Sequence, residues 1–203
     1  MATRLVITDL DGVLIDFHPA RRLAYLEALT GLSGSTIHSS IWAGPFEAEA
    51  EAGAWPTGDA YLAEFNRRLG TAVTRADWVE AARRRATVPR PEMVAYFASL
   101  APRVRLAVLT NNGSLLRESL GELCPDVCAV FGDGIVASCE LGARKPDPLV
   151  YQRLLARHGV EPADAVFIDD SAANVAGARA AGLRAIHFRS LDQLRQALTP
   201  LLP

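Results

Sequence analysis

The chain has 203 residues, about half of them apolar, with 21 basic and 23 acidic side chains and a formal net charge of -2. That length and apolar content can bury a sizeable core in one or two domains, and the charge balance excludes electrostatic recruitment of the whole molecule to nucleic acid or an anionic membrane. No apolar run approaches the roughly 18 residues of a spanning helix, and Met1-Ala2-Thr3-Arg4 leads into a run too short for a signal peptide, which points to a cytoplasmic protein without a membrane partner.

In chain order, Leu5-Val6-Ile7 is the first short apolar run, of the length of a buried strand. From about 17 to 90 no strand-like run is evident. Apolar positions fall instead at helical spacing, as in Tyr61, Leu62, Phe65 and Leu69, so this stretch reads as an inserted helical subdomain, with linkers at His18-Pro19 and Pro89-Arg90-Pro91. Strand-like runs return at Val104 to Leu109, Val166 to Ile168 and Ala185 to Phe188. Helical patterns intervene at Leu115, Leu116 and Leu120, at Leu149, Leu154 and Leu155, and at Val175, Ala178 and Ala181. Alternating strand and helix predicts an α/β fold with a doubly wound, Rossmann-like parallel sheet. The expected boundaries are 1–16 with 91–203 for the α/β domain and 17–90 for the helical insert. Cys124, Cys128 and Cys139 have apolar neighbours and no paired ligand spacing, and read as core thiols rather than a zinc site.

Ligands of an open parallel sheet bind beyond the carboxyl ends of its strands, which directs attention to the polar residues that follow each run. Asp9-Leu10-Asp11-Gly12 carries two carboxylates that can share one side of an extended segment, although aspartate and glycine also make ordinary turns. Thr110-Asn111-Asn112-Gly113 either caps the next helix or offers a hydroxyl and amides to an anion at a helix N-terminus. Asp169-Asp170-Ser171 either caps a helix or pairs two carboxylates that repel unless a hard divalent cation relieves them. Lys145-Pro146-Asp147-Pro148 reads as a rigid turn ahead of a helix. Yet Lys145 is the sole lysine in a chain whose other basic residues are all arginine, as if the position required a compact ammonium.

Together these segments resemble the four ordered motifs of the haloacid dehalogenase superfamily: Asp9-Leu10-Asp11-Gly12-Val13-Leu14, then Thr110-Asn111-Asn112, then Lys145-Pro146-Asp147-Pro148, then Phe167-Ile168-Asp169-Asp170-Ser171 with Asn174. The insert 17–90 sits where that superfamily places its small helical cap, which implies a small phosphorylated metabolite as partner, handled by a monomer or homodimer. Glu51-Ala52-Gly53, Asp59-Ala60-Tyr61 and Ser138 ahead of Gly142 are similar to the branch containing sugar-1-phosphate phosphatases and the phosphatase domain of soluble epoxide hydrolase.

The resemblance implies a phosphoric monoester hydrolase with Mg2+ as cofactor. Asp9 would be the nucleophile that forms an aspartyl-phosphate, and Asp11 the general acid and then base. Lys145, Thr110 and the Asn111 amide would hold the phosphoryl group. Asp9, Asp170 and the backbone carbonyl of Asp11 would hold the metal, supported by Asp169, with Asn174 orienting the Lys145 or Asp170 side. In the insert, the run Arg83, Arg84 and Arg85 either reaches substrate or forms a solvated face, Trp42, Trp55 and Trp78 read first as core anchors, and His18 is undecided. A sugar phosphomutase shares Asp9 and Asp11. A 2-haloacid dehalogenase would not need an acid at Asp11, a Schiff-base mechanism would need a lysine that 17–90 lacks, and a phosphate-binding regulator would need no nucleophile.

Overall fold

A computed structural model describes residues 3–203, with the side chains of Phe17 and of residues 84–88 outside that description; the suggested substrate contacts of Arg84 and Arg85 fall there. The first strand, β1 (Leu5–Thr8), is buried throughout. Its residues alternate between two apolar clusters, Val6 on one face of the sheet and Leu5 with Ile7 on the other. A strand covered on both faces has no polar side to show, which is why it reads as one continuous apolar run.

Strand β2 (Ile15–Phe17) follows the first turn and pairs antiparallel with β3 (Ala86–Pro89). Between them lie five helices: α1 (Pro19–Thr30), α2 (Gly34–Ile41), α3 (Pro45–Glu51), α4 (Gly58–Leu69) and α5 (Arg75–Arg85). The expectation that 17–90 holds no strand is therefore corrected. The ribbon is short and ends on a proline, so it has no alternation long enough to register as a strand pattern.

Beyond α6 (Pro91–Leu100) come β4 (Arg105–Thr110), α7 (Ser114–Leu123), α8 (Pro125–Phe131), β5 (Ile135–Ala137), α9 (Pro148–His158), β6 (Ala165–Asp169), α10 (Ala172–Ala180), β7 (Arg184–His187) and α11 (Leu191–Leu198). The strands form one parallel sheet in the order β5-β4-β1-β6-β7. From β1 the chain winds outward through β4 to β5, then returns to the other side of β1 for β6 and β7, so the strand order reverses between β1 and β6. A doubly wound sheet opens a crevice at that point, at the carboxyl ends of the strands.

Helices α9 and α10 cover one face through Val150, Tyr151, Leu154, Leu155 and Ala178. The other face shares its cluster with the inserted helices, so that Leu115 and Leu116 of α7 belong to the same core as Phe46, Tyr61 and Trp78. The two parts pack tightly at Gly113, where an added Cβ would lie 3.1 Å from the Tyr61 ring and 3.3 Å from Ala50. Of the cysteines, Cys124 is buried, whereas Cys128 and Cys139 are only half-buried.

Candidate active site

Four of the suspected residues lie at the carboxyl ends of β1 and its two neighbours in the sheet, β4 and β6. Asp9 follows β1 directly, its amide bonded to the Ile168 carbonyl of β6. Thr110 ends β4 and Asp169 ends β6, followed by Asp170. Lys145 arrives from the loop before α9. That loop is held by Asn111, whose side chain donates to the Lys145 carbonyl at 2.9 Å and accepts from its amide at 2.8 Å.

The buried Lys145 ammonium sits 2.8 Å from Asp9 Oδ1 and 2.8 Å from Asp169 Oδ2, with only 2% of its side chain exposed. Burial pushes the Asp9 carboxyl up to about 8, against the opposing pull of Lys145, and the neighbouring Asp169 adds to the rise. Its two acidic partners raise the lysine itself, outweighing its desolvation. Burial thus works against both charges, while each partner's opposite charge favours the ionised form of the other.

Asp169 is fully buried, and both of its oxygens are engaged. Oδ1 accepts from the Ser171 amide at 2.8 Å, Oδ2 accepts from Lys145, and Asn174 Nδ2 reaches both at 3.0 and 3.1 Å. Asn174 therefore orients Asp169, and through it the lysine, rather than touching either predicted partner directly. Its own carbonyl accepts from the Tyr151 hydroxyl at 2.8 Å.

Oxygens of Asp9, Asp169 and Asp170 lie within 4.8 Å of one another, three carboxylates against one ammonium. With Asp169 already saturated, Asp9 and Asp170 remain to meet a ligand, and oxygen donors at this spacing suit a hard divalent cation. Burial and the charge of Asp169 both raise the Asp170 carboxyl, with Lys145 opposing them. Gly12 makes room for this arrangement. Its φ of 79° is left-handed, and a Cβ there would lie 2.1 Å from Asp170 Oδ2.

Asp11 stands one step further out. A cleft of about 270 Å³ is lined by Asp9, Asp11, Thr110, Asn111, Lys145 and Asp170. A second cavity of about 320 Å³ lies beneath the inserted helices, lined in part by Arg22, Trp42, Glu47 and Glu51, and Asp11 and Asn111 border both.

Two residues that position the site were not singled out from the sequence as functional. Asn112 is buried, donates to Thr110 Oγ1 at 2.6 Å and lies 3.5 Å from Asp11 Oδ2. Arg90 leaves the ribbon to donate to the Gly12 carbonyl at 2.9 Å and to Asp16 Oδ1 at 2.8 Å, fastening the turn after β1 to the end of the insert. Asn112 was visible as the third member of its motif. Arg90 carried no signal beyond its place between two prolines. His18 is exposed at the start of α1, and Trp78 is buried, whereas Trp42 is half-buried on the cavity wall.

Residues 3–182 match the family model for haloacid dehalogenase-like hydrolases. The chain belongs to that family. Among curated proteins it is similar to a phosphoserine phosphatase of Thermus thermophilus, 34% identical over 155 residues that make up 72% of this chain and 56% of the relative. It spans less than half the length of the first curated relatives it matches. Among solved structures, a HAD-like family hydrolase from Porphyromonas gingivalis superposes with a TM-score of 0.82 at 24% identity, covering 99% of this chain and 98% of that one. A HAD family enzyme of Bacteroides thetaiotaomicron, in complex with magnesium and inorganic phosphate, gives a TM-score of 0.77 at 18% identity over 94% of this chain and 96% of its own. At these identities the likeness establishes the fold. Among the described residues no helix is long and apolar enough to cross a membrane.

Proposed function

We propose that this member of the family hydrolyses the phosphate monoester of a small molecule, with Asp9 as nucleophile, Asp11 as general acid and base, and Mg2+ as cofactor. One observation carries this reading: Asp11 borders both the cleft that contains Asp9 and Lys145 and the cavity under the helical insert. A group at that junction can reach the oxygen that links a phosphoryl group in the cleft to a leaving group in the cavity. A haloacid dehalogenase would have no use for an acid there, because halide departs without a proton.

In this reading residues 1–16 and 91–203 form the catalytic domain and 17–90 the cap. Lys145 and the Leu10 amide both bind Asp9 Oδ1, leaving Oδ2 to attack phosphorus. As the phosphorus–oxygen bond to the leaving group breaks, Asp11 donates its proton to the departing oxygen. The resulting Asp11 carboxylate then takes a proton from water as that water attacks the aspartyl-phosphate, which releases phosphate and restores both acids. Thr110, the Asn111 amide and Lys145 hold the phosphoryl oxygens. Asp9, Asp170 and the Asp11 carbonyl would hold the magnesium ion, which supplies positive charge against the nucleophile and the phosphoryl oxygens. The magnesium and phosphate bound by the Bacteroides relative and the phosphatase name of the Thermus relative support this assignment.

The test is turnover of phosphate monoesters with and without magnesium. Release of phosphate should require the metal, and Asp9→Asn should lower kcat by about 10³-fold or more. Full activity in that variant, or activity indifferent to a chelator, would overturn the reading.

A further inference from the structure

Three carboxylates meet at the ends of β1 and β6, and they are not held alike. Asp9 and Asp169 are buried and share the Lys145 ammonium, whereas Asp170 is exposed. Asp170 also lies one residue past the end of β6, where the sheet no longer dictates its backbone. Strands β6 and β7 stay in register as far as Asp169 and His187, and the Phe188 amide then donates to the Asp169 carbonyl at 2.9 Å. At the next carbonyl a side chain takes over from the ladder: His187 Nε2 lies 2.9 Å from the carbonyl oxygen of Asp170. A carbonyl can only accept, so the imidazole carries a proton on Nε2 and donates it there.

We propose that His187 is the positioning residue for Asp170, setting the direction in which this carboxylate meets the magnesium ion; the proposal rests on the phosphatase reading for the metal. A carbonyl held in place fixes the ψ of its own residue, and with it the direction of the side chain relative to β6. The carboxylate has little room to turn otherwise. A Cβ on Gly12 would lie 2.1 Å from Asp170 Oδ2, so the acid rests directly on the turn after β1. That turn is tied to the same end of β7. Arg90 donates to the Gly12 carbonyl and sets its guanidinium 5.8 Å from the centroid of the buried Phe188 ring, the residue after His187. Gly12, Arg90, Phe188, His187 and Asp170 thus close a ring of contacts that includes both the carboxylate and the turn it rests on. Groups that orient a metal ligand in this way commonly contribute about 10–100-fold to metal affinity.

Magnesium binding can be measured without turnover, by calorimetric titration of magnesium chloride into the protein. Two amide replacements separate geometry from polarity: His187→Gln places a donor near the position of Nε2, whereas His187→Asn places one near that of Nδ1, too short to reach the Asp170 carbonyl. His187→Asn should raise the Kd for magnesium by about tenfold or more, and His187→Gln should stay within about threefold of the parent. His187→Ala, expected to lose as much as the asparagine variant, serves if that variant does not fold. Unchanged affinity in His187→Asn, or equal losses in the asparagine and glutamine variants, would overturn the proposal. Asp170→Asn is the control that separates this role from the metal assignment beneath it. If Asp170→Asn weakens magnesium and His187→Asn does not, the positioning role falls and the metal site stands. If the parent binds no magnesium, or Asp170→Asn binds it as tightly as the parent, the metal assignment falls and the positioning role falls with it.

Discussion

In the proposed mechanism, Asp11 is the residue whose replacement would separate proton transfer from the rest of the chemistry. Asp11→Asn should slow the hydrolysis of an alkyl phosphate by about 10²–10⁴-fold, and that of p-nitrophenyl phosphate much less in its first step, because nitrophenolate leaves without a proton. Burst kinetics with the aryl ester would then expose the slowed second step as accumulated aspartyl-phosphate. Equal losses on both esters in the first step would remove Asp11 from the acid role. Lys145 makes a different demand. Its buried ammonium spans Asp9 and Asp169 at 2.8 Å each, and a bulkier, planar guanidinium does not reproduce the geometry of that compact charge. Lys145→Arg should cost about 10²-fold or more in kcat/KM. Lys145→Met, which strands two buried acids, should also cost about 3–5 kcal/mol of stability, read from denaturant unfolding.

Glu51 gives a prediction in pH. Burial pushes its carboxyl up to about 7 from an ordinary 4.5, with Arg144 opposing. The folded protein therefore binds more protons than the unfolded chain between those values, and stability from this group is present below about 4.5 and is lost as pH rises through about 7. Glu51→Gln removes that slope. Its stability relative to the parent should improve between pH 5 and pH 8 by on the order of 3 kcal/mol. Parallel curves of melting temperature against pH would refute the assignment.

At the scale of elements, legibility followed length and contact. Each of β1, β4 and β6 is a run of four to six residues, mostly buried, so its apolar signature survived into the sequence, and the polar residue at its end could be located. Strand β5 has three residues, Ile135–Ala137, too few to distinguish from a turn of buried helix, and it was not anticipated. The β2–β3 ribbon was missed for the same reason. The helices of the insert were legible as helices, but the cavity they build was not. Arg22, Glu47 and Glu51 come from α1 and α3, and nothing in their spacing reports that packing turns them toward Asp11. The aromatic cluster at the centre of the insert should dominate its stability. Phe46 meets Trp55, Tyr61 and Phe65 at centroid distances of 4.7, 4.9 and 6.5 Å. Phe46→Ala should therefore cost about 3–5 kcal/mol by denaturant titration.

Across the whole molecule the insert is joined to the α/β domain by more than its two linkers. Glu118 of α7 accepts from the Gly58 amide at 2.7 Å and pairs with Arg75, Arg83 meets Glu122 at 2.6 Å, and the Ser138 hydroxyl donates to the Glu51 carbonyl at 2.7 Å. Below this polar rim the apolar core runs on without interruption from one set of helices to the other. Heat and denaturant should therefore unfold the two parts together, in one transition by both near- and far-ultraviolet circular dichroism. Two transitions would mean that the seam is weaker than its contacts imply.

The lone lysine has a use beyond the role proposed for it. Acylating reagents that attack amines find one ε-amine in this chain, and the fold seals it. Mass spectrometry after brief labelling would record the opening of the crevice at the strand ends as a single mass step at one residue, with no background from other side-chain amines and no engineered tag.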